Sequence, residues 1–146
     1  MIDVTGLDSA TSRIASLASV VGRVQAQTVR QLGDTYLKAL QAETPVRTGQ
    51  LRGAYQTTDS YSEISAEYRI TNTTPYLKWV VNGRGPVEAT SGKALRFVIN
   101  GQVFFRKRVG PAKANPFPAR AARTMAPYIA TAQATLPGLI VRSYGA

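Results

Sequence analysis

The sequence predicts an α+β fold, in which a long N-terminal helix and a C-terminal helix pack on a small antiparallel sheet that contains a long β-hairpin. Apolar residues recur every three to four positions over residues 11–43 and again over 117–136, which is the spacing of a helix face. Between these segments, short stretches rich in Tyr, Thr, Val and Phe alternate with turn residues, as in antiparallel strands. A chain of 146 residues is expected to form one domain, 1–146, that buries roughly two thirds of its unfolded surface.

The first helix is predicted over Thr11–Glu43, because Pro45 disfavours helical backbone at the residue before it. Its apolar stripe consists of Ile14, Leu17, Val21, Val24, Leu32, Tyr36 and Leu40. We expect this stripe to form core, and a helix of this length can also reach a neighbouring subunit. Gly22 and Gly33 lie inside the helix, where each costs about 1 kcal/mol relative to Ala.

The strongest local signal is a β-hairpin formed by Ala94–Ile99 and Gln102–Val109. Its turn is Asn100-Gly101, a pair that accepts the positive φ values of a type I′ turn. Upstream, Tyr55–Ser60 and Ser62–Ile70 predict an antiparallel pair with turn chemistry at Asp59-Ser60, residues 76–81 predict one or two helical turns, and residues 87–93 predict a loop.

The last helix is predicted over Phe117–Leu136. Pro127 lies inside it and is expected to kink or split the helix, because proline has no N–H for a helix interior. From Pro137 onward we expect a loose end. Segments 1–10 and 137–146 are interpreted as flexible or subunit-contacting arms.

Composition excludes most enzyme classes. The chain has neither cysteine nor histidine, which removes disulfides, thiol nucleophiles, the usual zinc ligands and the commonest general base. An unfamiliar enzyme using Glu88 as a base has no supporting partner in the sequence. We therefore expect no enzyme activity, no metal, no cofactor and, because no long apolar run or leader pattern is present, no membrane contact and synthesis in the cytoplasm.

The positive charge is concentrated in one segment. The net charge is +10, and residues 84–123 hold nine basic residues and one acidic residue. Two interpretations remain open for this segment: charged edge strands that discourage unwanted pairing, or contact with nucleic-acid phosphates or an acidic subunit face. The candidate nucleic-acid or ring-contact residues are Arg96, Arg106, Lys107, Arg108 and Lys113, with Arg106 and Arg108 on one strand face and Lys107 on the other.

Three segments occur in a recognisable order: Thr44–Arg52, Pro75–Gly83 and Asn115–Ala121. The first reads P-x-x-T-G-x-L-R, the second reads P-Y-x-x-x-V-x-x-G, and the third brings a Pro-Phe pair to the start of the last helix. In these segments, and over nearly its whole length, the chain resembles the HK97 gp10-like tail-component family of tailed bacteriophages, which comprises neck and tail-completion proteins.

The resemblance implies a structural virion protein, made in the host cytoplasm, that forms a ring, hexameric by resemblance, at the head-to-tail connection through which the genome passes. Implied partners are copies of itself, an adjoining connector or head-completion protein, a tail terminator or tail tube, and genomic DNA through sequence-independent contacts. Candidate subunit contacts are Trp79, Thr48, Gly49, Leu51, Arg52 and Phe117; for Trp79, burial in the core is the first expectation. The alternative function is a freestanding basic protein that binds nucleic acid without sequence preference.

Overall fold

A computed structural model describes residues 5–145, and the surroundings of the side chains for residues 11–144 except Ser91. It confirms the α+β class: two long helices and small antiparallel pairs of strands. In chain order the elements are α1 (Thr5–Glu43), α2 (Gln50–Gly53), β1 (Tyr55–Tyr61), β2 (Ala66–Asn72), α3 (Leu77–Asn82), β3 (Val87–Glu88), a 3₁₀ turn (Thr90–Gly92), β4 (Leu95–Ile99), β5 (Gln102–Arg106), β6 (Arg108–Val109) and α4 (Phe117–Gly145).

The two long helices are antiparallel and pack on each other along their length. At one end Arg120 Nε donates to Glu43 Oε2 at 2.7 Å, and at the other the Tyr144 hydroxyl donates to the Arg13 carbonyl at 3.5 Å. The buried apolar side chains are Val20, Val24, Leu40, Leu51, Phe117, Ala121 and Met125. Of the predicted stripe, only Val24 and Leu40 belong to this set, and Ile14 is 69% exposed. The N-terminal part of the stripe is therefore surface.

The β1–β2 hairpin lies on α1, in a register that runs from Tyr55↔Asn72 to Tyr61↔Ala66. Its turn is Ser62–Ser65 and not the predicted Asp59-Ser60. The reason is a network of local bonds: Ser62 N–H donates to the Ser65 carbonyl at 2.8 Å, and Ser62 Oγ accepts from Ser65 N–H at 3.0 Å. Asp59 remains in the strand, where it pairs with Arg30 at 2.8 Å.

The predicted β4–β5 hairpin is present, with Leu95 opposite Arg106 and Ile99 opposite Gln102. Its turn has φ values of 50° at Asn100 and 80° at Gly101, as a type I′ turn requires. The predicted outgoing strand is wrong at Lys107, which interrupts it. The next two residues form β6, which pairs with β3 inside the predicted loop 87–93.

The C-terminal helix continues through both of its prolines to Gly145, which corrects the expected split at Pro127 and the expected loose end from Pro137. Both prolines are exposed, so water can reach the carbonyls that lose a helical partner. Packing along α1 holds the rest of the helix. The expected arms are therefore helical over residues 5–10 and 137–145, whereas residues 1–4 and 146 lie outside the described residues.

The chain exposes far more surface than its mass predicts. Its accessible surface is 10885 Å² for 15.7 kDa. A compact monomer of that mass exposes roughly 7300 Å². The prediction of two-thirds burial is thus too high, because α1 is long and the β4–β5 hairpin makes no substantial contact with another described element.

Candidate functional site

A groove of about 1010 Å³ is lined by the first two segments of the resemblance, by Arg84, by Ala112, Lys113 and Asn115 ahead of α4, and by the tip of the β4–β5 hairpin. We call it the hairpin groove. Its lining residues are Pro45, Val46, Arg47, Thr48, Gly49, Gln50, Leu51, Tyr76, Trp79, Val80, Arg84, Val98, Asn100, Gly101, Ala112, Lys113 and Asn115. Residues more than 60 positions apart in sequence therefore share one surface.

The first wall follows directly from the end of α1. Gly49 has a φ of 79°, which turns the chain into α2, and Gln50 N–H donates weakly to Thr48 Oγ1 at 3.4 Å. Leu51 is 5% exposed, and its carbonyl accepts from Asn72 Nδ2 at 2.9 Å. This wall is therefore anchored both in the core and to the end of β2.

The second wall is α3. The Tyr76 carbonyl accepts from Trp79 N–H at 3.0 Å and from Val80 N–H at 3.2 Å, which forms the first helical turn. Trp79 is 48% exposed, and the ammonium of Lys78 lies 4.6 Å from the centroid of its ring. The expectation that Trp79 is core is wrong, and the ring presents an apolar face to the groove.

The third wall is the extended chain before α4. Arg84 and Ala112 form a β-bridge, and Asn115 N–H donates to the Val80 carbonyl at 3.0 Å. Asn115 Oδ1 accepts from Arg120 Nη2 at 2.7 Å. Because Arg120 also binds Glu43, this network ties the groove to the end of the two-helix pair.

The groove carries positive charge. Arg47, Arg84 and Lys113 line it, and its lining includes no acidic residue. None of these three cations forms an ion pair within the described part of the chain. Together with Trp79, Val80 and Leu51, they make an apolar floor with a cationic rim. Such a surface suits an occupant that combines apolar and acidic groups.

The predicted basic cluster is not gathered on one face. In the strand register Arg96 lies opposite Phe105 and Arg106 opposite Leu95, so the two arginines project from opposite faces of the hairpin. Lys107 lies between strands, and its carbonyl accepts from Ala89 N–H at 2.8 Å. Arg108 pairs with Glu88 at 3.3 Å. The continuous strand assumed over 106–108 is wrong, because β5 ends at Arg106 and β6 begins at Arg108.

The subunit-contact candidates divide into three groups. Thr48, Gly49, Leu51 and Trp79 line the groove, together with Asn100 and Gly101 of the hairpin turn. Arg52 is exposed but lies outside the lining. Phe117 is 1% exposed and belongs to the core of its own chain, so its prediction as a contact residue is wrong. Its ring follows a proline at a helix start, a position that sequence alone does not distinguish from surface.

Groove residues that were not among the predicted contacts include Val46, Arg47, Tyr76 and Val98. The first three lie inside the segments of the resemblance, and that position was the information in the sequence that could have identified them. Val98 alternates with the half-buried Phe97 along β4, and the strand period placed it on the opposite face of the hairpin.

Within the described residues, no group of three or more acidic side chains is arranged to hold a metal ion. No described helix has the length and apolar character that crossing a membrane needs. Comparisons with protein families, with curated proteins and with solved structures found no match to this chain.

Proposed function

We propose that this chain is a structural subunit of a tailed-bacteriophage virion, which assembles as a ring at the head-to-tail connection. The observation that carries the proposal is that the first two segments and Asn115, the first residue of the third, meet in the hairpin groove. These segments are the ones through which the sequence resembles neck and tail-completion proteins. A shared surface gives the first two segments a common role, whereas Phe117 of the third belongs to the core.

The uncovered surface of the single chain supports an assembled state. An excess of thousands of square ångströms over a compact monomer is of the size that stable protein interfaces bury. The β4–β5 hairpin contributes to this excess. Val98, Val103 and Phe105 are 48%, 45% and 64% exposed on one of its faces, which also carries Arg96.

An isolated two-stranded hairpin is marginally stable in water. The two strands of this one are held by their own antiparallel backbone pairing and by cross-strand contacts on one face, such as the stacked rings of Phe97 and Phe104, whose centroids are 6.0 Å apart. A partner that covers the apolar face would hold the hairpin in place. In a connector, that partner is a neighbouring copy or an adjoining ring.

The test is to locate the protein in particles. Purified virions from the source are analysed by mass spectrometry, and a gold-labelled antibody against this chain is imaged on them. We expect a few copies per particle, with the label at the neck. Absence from particles would contradict the proposal, and a label on the capsid shell or the distal tail would contradict the assigned position.

A further inference from the structure

We propose that the hairpin groove of one copy receives the Ser62–Ser65 turn of a second copy, with Ile64 against the apolar floor and Glu63 beside the cationic rim. This inference rests on the assembled state in the proposed function. It goes further by naming the two surfaces that join neighbouring subunits.

The Ser62–Ser65 turn between β1 and β2, which we call the knob, protrudes and is held in one conformation by its own hydrogen bonds. Ile64 is 90% exposed, the highest value among the large apolar side chains described. Ser62 Oγ accepts from Ile64 N–H at 3.4 Å as well as from Ser65 N–H, so the turn is held by its own bonds. A Cβ on Gly22 would lie 3.0 Å from Glu63 Cα, which means that the turn rests directly on α1. A rigid turn that points an isoleucine into water loses little conformational freedom when it docks.

The charges of the two surfaces are complementary. Glu63 forms no ion pair within the described residues, and Arg47, Arg84 and Lys113 are equally free of acidic partners there. The groove, at about 1010 Å³, has room for a tight turn and not only for one side chain. Its floor offers Trp79 and Val80 to an aliphatic side chain. An apolar tip with one acid thus meets an apolar floor with three cations.

The knob and the groove cannot meet within one chain. The turn packs at Gly22, whereas the groove begins at Pro45, immediately after α1 ends. The intervening stretch of helix separates them by roughly 30 Å at 1.5 Å per residue. A contact between two different surfaces of identical subunits is heterologous, and its repetition closes into a ring or extends as a filament.

The experiment uses cysteine cross-linking, which is clean because the natural chain contains no cysteine. The variant carries Ser65→Cys and Val46→Cys, one in the turn and one in the groove, so that Ile64 is kept, and it is oxidised as the concentrated purified protein. We expect a ladder of disulfide-linked oligomers on non-reducing gels, since each chain is joined to the next. Each single-cysteine variant should stop at the dimer or stay monomeric.

A matched control pairs Ser65→Cys with Val141→Cys, since Val141 is 71% exposed and lies outside the groove. It should yield no ladder. A ladder of equal intensity from this control, or none from the first variant, overturns the contact. Circular dichroism of each reduced variant verifies the fold, and both substituted knob and groove positions are exposed, so their loss of packing is small.

A charge exchange gives an independent readout. In the double-cysteine variant, Glu63→Lys should lower the cross-linking yield at least fivefold, and adding Lys113→Glu should restore most of it. Failure of the restoration, together with binding of the groove to a different virion protein, would assign the groove to that protein instead. Particle localisation tests the proposed function separately, because a protein found at the neck that gives no ladder keeps its function and loses this contact.

Discussion

Gly33 of α1 lies directly beneath the ring of Tyr68 on β2. A Cβ at residue 33 would lie 2.3 Å from both Cγ and Cδ1 of that ring, closer than two such atoms can approach. The Tyr68 hydroxyl then donates to Asp34 Oδ1 at 2.8 Å. The absence of a side chain at Gly33 thus determines how closely the β1–β2 hairpin packs on the helix.

Gly33→Ala should therefore destabilise the protein by about 1–3 kcal/mol through overpacking, although alanine favours a helix by about 1 kcal/mol. Urea unfolding measures the change. Gly138→Ala is the matched control, since that glycine lies in α4 with open space around its Cβ position. The control should gain stability, and an equal gain at Gly33 would contradict the packing described here.

Thr44 links the end of α1 to the start of β1. Its hydroxyl donates to the Leu40 carbonyl at 2.5 Å and accepts from the Tyr55 hydroxyl at 2.7 Å, and the residue is 2% exposed. Thr44→Val leaves the Tyr55 hydroxyl without this partner and should cost about 1–2 kcal/mol. Thr35→Val is the control, because the Thr35 hydroxyl donates to the Gln31 carbonyl alone. Equal effects of the two substitutions on the urea midpoint would refute the role of the Tyr55 bond.

Acid should weaken the Arg30–Asp59 pair. The hydrogen bond from Arg30 is the largest cause that lowers the pKa of Asp59 below its ordinary value of 3.8. The folded state binds the Asp59 proton less readily than the unfolded state does. The contribution of the ion pair to folding stability is therefore fully present above pH 3.8 and is lost as the pH falls through the lowered pKa. The stability difference between wild type and Asp59→Asn should narrow on going from pH 6 to below the Asp59 pKa. A difference that is constant with pH would contradict the assignment.

The Asn100-Gly101 turn tests the importance of the hairpin for assembly. Replacing both residues by Val forces β-branched side chains into positive φ, which costs about 1–2 kcal/mol per residue and disturbs the register. We expect capsids and tails that form but fail to join, visible by electron microscopy and as a loss of plaques. Asn100→Gly preserves turn chemistry and should join normally. Normal joining by the double Val variant would count against the hairpin.

Duplex DNA distinguishes a connector subunit from a freestanding nucleic-acid-binding protein. Because Arg96 and Arg106 project from opposite faces and Arg108 is paired with Glu88, a monomer offers no continuous cationic surface along this hairpin. At about 150 mM salt we expect a Kd weaker than about 1 μM, measured by fluorescence anisotropy. Tight binding by the monomer, with a steep salt dependence, would favour the alternative function.

The sequence predicted correctly those elements that are determined by residues close to one another in the chain. The helix periods, the stop at Pro45 and the Asn-Gly turn are set by neighbouring residues, and all three are present. The turn at Ser62–Ser65 was missed because it is held by hydrogen bonds from backbone N–H groups to a serine side chain, and such bonds do not show in the hydrophobic pattern of the sequence. The break at Lys107 was missed because its cause is distant: β6 pairs with β3, twenty residues earlier.

The candidate site was predictable only in its parts. The resemblance pointed to segments that contribute to the hairpin groove. It did not predict that they lie side by side, because this depends on the Arg84–Ala112 bridge and the Asn115–Val80 hydrogen bond. Glycines in α1 were interpreted as weaknesses of the helix. At Gly33 the missing side chain costs helix propensity but lets Tyr68 of the hairpin pack against the helix. This relationship involves two elements, so neither segment alone predicts it.

In the proposed assembly, the small core of the chain has a consequence for copies that are not incorporated. Among the side chains that the structure describes, seven apolar ones are buried, and the helix tips carry Ile14 and Val141 at 69% and 71% exposure. Binding that occurs only in the folded state raises apparent stability with concentration. An unassembled copy is therefore expected to open and be degraded faster than an incorporated one. Supply of the protein would in this way follow the number of sites that can take it up, without a separate regulator.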